Sequence, residues 1–174
     1  RLPELLALLR EYERGRSKQS TFAAYAPRLL AVLSGVGGPD PKRAEAALKL
    51  SSEGVAAYAA GNTAKAVELL SRAESLDPDL PAASLSLGVS LEKLGRREAA
   101  LAAYGRAIKR ALADPRRHWE VAAAALSSRA TALEAAGRGR EARRDLQSAR
   151  ELAPEDWPGR DEIDRRLRRG AAPR

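Results

Sequence analysis

Residues 80–112 read LPAASLSLGVSLEKLGRREAALAAYGRAIKRAL, and the fold is decided there. Leu87-Gly88, Leu91, Gly95, Ala100, Tyr104 and Ala107 sit at helical spacing on either side of a glycine break. Thirty-four residues earlier the same offsets hold Gly54, Gly61, Ala66, Leu70 and Ala73, with Pro78 after them. Forty-two residues later they hold Ala130, Leu133, Gly137, Ala142, Leu146 and Ala149, closed by Pro154. A helical hairpin recurring at this period cannot bury its apolar face alone, so it predicts stacked hairpins.

Working outward, Asp40-Pro41 predicts the start of the first repeat helix, because Asp can cap a helix and Pro costs nothing at its first position. That helix is expected to run to about Ala60 and to end at Gly61 in the left-handed conformation. Its return helix covers about 63–76. The second pair covers about 82–94 and 97–112, turning at Gly95. Asp114-Pro115 repeats the start signal and predicts a longer helix, 115–136, which would absorb the eight additional residues. A partner over 140–152 follows, then a short helix over 158–169 with Trp157, Ile163 and Leu167 facing inward. Residues 1–40 stand outside the period: apolar positions predict helices over 3–14 and 21–33, followed by a linker. These helices either cap the stack or lie in its groove as an internal ligand.

The expected organisation is therefore 1–40 as an N-terminal segment, 41–156 as three repeats (47–80, 81–114, 123–156), and 157–174 as a capping helix and tail. Composition agrees with an all-α fold. Hydrophobic residues are 44% of the 174, yet only 4% are aromatic, which leaves Ala and Leu to pack helices closely. The net charge of +8 is spread along the chain and carried mostly by Arg. This reflects genomic base composition as much as an anionic partner, and a bacterial source is the expectation. Arg1 and the absence of Met lead to the expectation of a trimmed or processed form, which leaves the compartment open.

Several chemistries fall away. No cysteine is present, so disulfides, thiolate metal sites and Cys nucleophiles are excluded, and His118 is the single histidine. Gly35-Val-Gly-Gly lacks the Lys-Ser/Thr of a phosphate loop. Ser51-Ser52 and Ser127-Ser128 have no base beside them in sequence. Acidic groups such as Asp145 alternate with Arg and read as surface pairs. No enzyme activity, cofactor or metal is expected.

The residues at 88–91, 95, 100, 104 and 107 resemble the tetratricopeptide repeat pattern, and the resemblance covers 47–80, 81–114 and 123–156. It departs at Glu53 and Ala57, at Ala130 in place of Gly, and at the proline displaced to 115. The resemblance implies a right-handed α-solenoid of three hairpins whose concave face is lined by the first helix of each pair. Carried over by position, the groove comprises Leu48, Ser51, Val55, Tyr58 and Ala59, then Ala82, Leu85, Val89, Glu92 and Lys93, then Ala124, Ser127, Thr131, Glu134 and Ala135. Similar repeats clamp a terminal carboxylate with cations, but the corresponding positions here are Ser51, Val55, Ser86, Ala124 and Ser128. That mode is rejected. The implied function is a protein-interaction scaffold holding a peptide or amphipathic helix of a partner, with Glu92, Lys93 and Glu134 fixing its direction. The alternative is an anionic partner such as RNA, lipid headgroups or an acidic protein. It would bind a ridge of Arg96, Arg97, Arg138, Arg140, Arg143 and Arg144, although no aromatic residues interleave with these to stack bases. No specific nucleic acid is expected, and the chain is expected to be a monomer on its own.

Overall fold

The computed structural model describes residues 40–169. The chain divides into two units, Arg1–Arg43 and Ala44–Arg174. The helices expected over 3–14 and 21–33, and their role as cap or internal ligand, lie outside the described residues, as does the tail from 170.

Among the described residues there are seven helices and no strand. They are α1 Pro41–Ala59, α2 Thr63–Leu76, α3 Pro81–Lys93, α4 Arg97–Ala111, α5 Pro115–Ala135, α6 Gly139–Leu152 and α7 Arg160–Arg169. At the start of α1 the Lys42 amide donates to Asp40 Oδ1 at 3.0 Å, the bond an N-terminal Asp supplies. The Asn62 side chain accepts from the Lys65 amide at the start of α2. Asp77 closes that helix, its Oδ1 accepting from the Asp79 amide at 3.0 Å ahead of the next helix.

The three hairpin turns are one motif used three times. Gly61, Gly95 and Gly137 adopt φ of 80°, 72° and 75°. The residue after each donates back to Ala57, Leu91 and Leu133 respectively, all at 2.9 Å. This is the Schellman arrangement, which satisfies the orphan carbonyls at a helix end and needs a residue without a β-carbon at its left-handed position.

One expected element differs. Pro115 does begin α5, but Asp114 makes no side-chain cap bond and His118 leaves helical geometry at φ −126°, ψ 19°. The added residues thus form a separate turn, kinked at His118, ahead of the regular helix. Asp-Pro at 114–115 marks the start without fixing a straight path, since the Asp114 side chain makes no cap bond of the kind Asp40 makes.

Packing follows the small residues. At matching offsets the first helices present Gly54, Gly88 and Ala130, and the second helices answer with Leu70, Tyr104 and Leu146, every one of them buried. Two core clusters result. One joins Ala66, Leu70, Leu87, Leu91, Ala100, Ala103, Tyr104 and Ala132. The other joins Ile108, Ala123, Leu126, Ala130, Leu133, Leu146 and Ile163 of α7. Trp157 and Leu167 pack against the second cluster, as the inward-facing reading expects.

Two charge networks tie successive elements together. Glu74 of α2 accepts from Ser84 Oγ at 2.6 Å and from Arg106 Nε at 2.8 Å, and Arg110 also bonds to it. Burial alone would raise this carboxyl, but the hydrogen bonds from Arg106, Ser84 and Arg110 hold it at about 2 against an ordinary 4.5. Asp145, read from the sequence as a surface group, is buried instead. Arg129 of α5 grips it with two bonds of 2.7 Å. That bidentate pair locks α5 to α6.

Candidate functional site

The first helices α1, α3 and α5 share one face of the stack, and a concave pocket of about 280 Å³ opens there. Val55 and Tyr58 come from α1, Leu85, Ser86, Val89 and Ser90 from α3, and Ala124 and Ser128 from α5. Leu70 of α2 completes the floor. Its presence has a local cause. Gly54 carries no side chain, and a β-carbon built there would lie 2.7 Å from Leu70 Cγ, so the leucine passes into the space a larger residue would close. Ser90 is buried, and its hydroxyl donates to the Ser86 carbonyl at 2.9 Å, so its polarity is spent within the helix. The pocket wall is therefore apolar, and no cation lines it.

The expected groove residues divide. Val55, Tyr58, Leu85 and Val89 line the pocket together. Ser51 is buried and does not line the pocket. Glu92 is half-buried one turn beyond Val89, and the Tyr104 hydroxyl donates to its Oε2 at 2.7 Å. Burial first, and that bond to Glu92 next, push the Tyr104 phenol well above its usual range. Lys93 is exposed. Ser127 and Glu134 are already engaged: Arg166 of α7 donates to Glu134 at 2.9 Å and to the Ser127 carbonyl and hydroxyl at 3.3 Å. Thr131 is exposed, its hydroxyl donating to the Ser127 carbonyl at 3.2 Å. Helix α7 thus closes the concave face at the third repeat. Leu70, Ser90 and Arg166 fall outside the groove positions carried over from the repeat pattern, because Leu70 belongs to a second helix, Ser90 is buried within the hairpin and Arg166 comes from outside the period.

The arginine ridge is broken by its own partners. Arg138 forms a bidentate pair with Glu141 at 2.7 and 2.8 Å. Arg143 donates to the Leu167 carbonyl at 2.9 Å and so caps the last turn of α7. Arg96, Arg97, Arg140 and Arg144 are exposed, with Glu98 and Glu141 among them. Among the described residues no group of three His, Cys, Asp or Glu is placed to hold a metal ion, and no helix is long and apolar enough to cross a membrane.

Stacked helical hairpins with glycine-capped turns and one open apolar face define a helical-repeat solenoid. Residues 57–125 match the tetratricopeptide repeat family model, and the all-α fold is the one seen in solved tetratricopeptide repeat domains. No curated protein matches it in sequence. Solved structures do. The Sgt2 TPR domain from Aspergillus fumigatus is 25% identical with a TM-score of 0.59, over 76% of this chain and 79% of that one. The first TPR of Spaghetti (RPAP3), bound to the HSP90 peptide SRMEEVD, is 19% identical with a TM-score of 0.61, over 74% and 96%. The type III secretion chaperone SycD from Yersinia enterocolitica, in complex with a peptide of the translocator YopD, is 20% identical with a TM-score of 0.60, over 70% and 89%.

Proposed function

We propose that this chain is a non-catalytic interaction module whose concave face holds an apolar segment of a partner protein, either an extended peptide or one face of an amphipathic helix. The observation that carries the reading is the pocket shared by Val55, Tyr58, Leu85 and Val89. Two successive repeats converge there on a surface of mainly apolar side chains, and the buried Ser90 hydroxyl is spent within its own helix. Such a surface gains by excluding water from apolar side chains and offers nothing to a free carboxylate. That two structures of this fold hold peptides, of HSP90 and of YopD, supports the same class of ligand. The chain acts as a monomer on its own, and light scattering at low micromolar concentration tests that.

The arginine ridge supports a polyanion site less well, since Arg138 and Arg143 are spent on Glu141 and Leu167. The deciding experiment places a photo-crosslinking residue at Val55 and, separately, at Arg96. A partner captured from Val55, and lost when Ser86 is replaced by Glu, fits the concave reading. Capture from Arg96 alone would overturn it.

A further inference from the structure

We infer that Glu92 reads a basic side chain on the segment bound in the concave pocket, which makes the partner an apolar segment carrying one Lys or Arg beside its anchor. The inference rests on the concave-face reading and deepens it. Glu92 follows Val89 by three residues on α3, so it stands on the same side of the helix, about 4.5 Å further along its axis. Its carboxylate is held in place from below. Tyr104 rises from α4 and donates its hydroxyl to Oε2 at 2.7 Å. Among the described residues no hydrogen bond or ion pair reaches Oε1.

The charge is therefore oriented but not compensated. A phenol satisfies one of the roughly four lone-pair positions of a carboxylate and brings no positive charge. The other candidate carboxylate of this face differs, because Arg166 already pairs with Glu134 at 2.9 Å. Lys93 is exposed and forms no ion pair among the described residues; as the next residue along, it points about 100° away around the helix. Tyr58, which lines the pocket, packs against the same core cluster as Tyr104. An incoming guanidinium or ammonium would thus meet a fixed carboxylate, which favours a partly desolvated cation. The net charge of +8 gives no long-range pull toward such a ligand, so the recognition is local and acts on dissociation.

A displayed library of random dodecapeptides, panned on the full chain, tests this. Selected peptides are expected to combine apolar residues with a Lys or Arg within one helical turn of an apolar anchor. A synthetic selected peptide should lose about tenfold or more in affinity to Glu92→Gln, a variant that still accepts the Tyr104 hydrogen bond. The same peptide with its basic residue changed to Gln should bind wild type and Glu92→Gln equally. Tyr104→Phe, which removes only the orienting bond, should narrow the gap between the basic and neutral peptides. Apolar peptides selected without a basic preference and indifferent to Glu92→Gln would overturn this inference and leave the pocket reading standing. Peptides that bind unchanged to a Val55→Glu, Ser86→Glu variant, or no enriched peptide at all, would overturn both.

Discussion

A β-carbon at Gly88 would lie 2.5 Å from two ring carbons of Tyr104, so the glycine and the tyrosine define each other's place. The close approach lets Tyr104 cross beneath α3 and reach Glu92, one turn beyond Val89. Gly88→Ala should therefore destabilise by about 1–3 kcal/mol through overpacking, despite the better helix propensity of Ala. The third repeat indicates the remedy, because Ala130 is accommodated opposite Leu146, both buried. Thermal unfolding should find the Gly88→Ala, Tyr104→Leu double variant more stable than Gly88→Ala alone. An unchanged melting temperature for the single variant would contradict the contact.

Glu74 gives the fold an acid-sensitive joint between the first two repeats. Its folded pKa of about 2 lies below the ordinary 4.5, so the folded state binds fewer protons than the unfolded one. The contribution is fully present above about pH 4.5 and is lost as pH falls through about 2, amounting to up to roughly 3 kcal/mol. Urea unfolding between pH 5.5 and 2 should show wild type losing more stability than Glu74→Gln. Parallel pH profiles would remove Glu74 from the account.

The period and the turns were legible in the sequence because they depend on local rules. A residue without a β-carbon is needed at Gly61, Gly95 and Gly137 whatever surrounds them. The kink at His118 was not legible, since Asp114-Pro115 looks like Asp40-Pro41 until the missing cap bond is seen. Neither was the burial of Asp145 by Arg129, nor the grip of Arg166 on Glu134. Each depends on which helices lie beside one another, and charge alternation along one helix carries no record of that. In the pocket, the positions carried over by offset met Leu70 from the second layer, which only the Gly54 gap admits.

Trp119, Ala123, Leu126, Ala130 and Leu133 recur at four-then-three spacing, which from the sequence predicts that Trp119 seals the seam onto Ile108 and Leu112. Leu112 is 44% exposed, and Trp119 is half-buried, meeting Trp157 edge to face with ring centroids 6.0 Å apart. Trp119→Ala should accordingly cost about 2 kcal/mol, less than the 3–5 of a fully buried aromatic. A double-mutant cycle with Trp157→Ala should return a coupling of about 0.5–1.5 kcal/mol. Strict additivity would mean the two rings act independently.

The arginines of the ridge should separate by partner. Arg143→Ser removes the donor to the Leu167 carbonyl and should destabilise by about 1–2 kcal/mol, with α7 losing amide-exchange protection first. Replacing Arg96, Arg97, Arg140 and Arg144 by Ser should leave stability nearly unchanged, because these side chains are exposed. The same quadruple variant should abolish only a weak, steeply salt-dependent association with RNA or anionic vesicles. Sequence-selective binding to RNA that persists at physiological salt would restore the ridge as the functional surface.

The concave pocket calls for substitutions that separate binding from folding. Leu85 packs against both core clusters while also lining the pocket, so it is a stacking residue as well as a groove residue. Leu85→Glu should cost about 3 kcal/mol or more, since the charge would be driven into apolar contacts. Loss of binding in that variant would say nothing about the site. Val55 is 48% exposed and belongs to neither cluster, and Ser86 lines the pocket without a side-chain bond among the described residues. A Val55→Glu, Ser86→Glu variant should therefore unfold within about 1 kcal/mol of wild type while placing two charges where an apolar ligand must sit. Binding of any groove ligand should fall by at least about a hundredfold, read by fluorescence anisotropy beside a urea titration of the same protein. If this variant keeps its stability and its affinity, the ligand lies elsewhere on the solenoid.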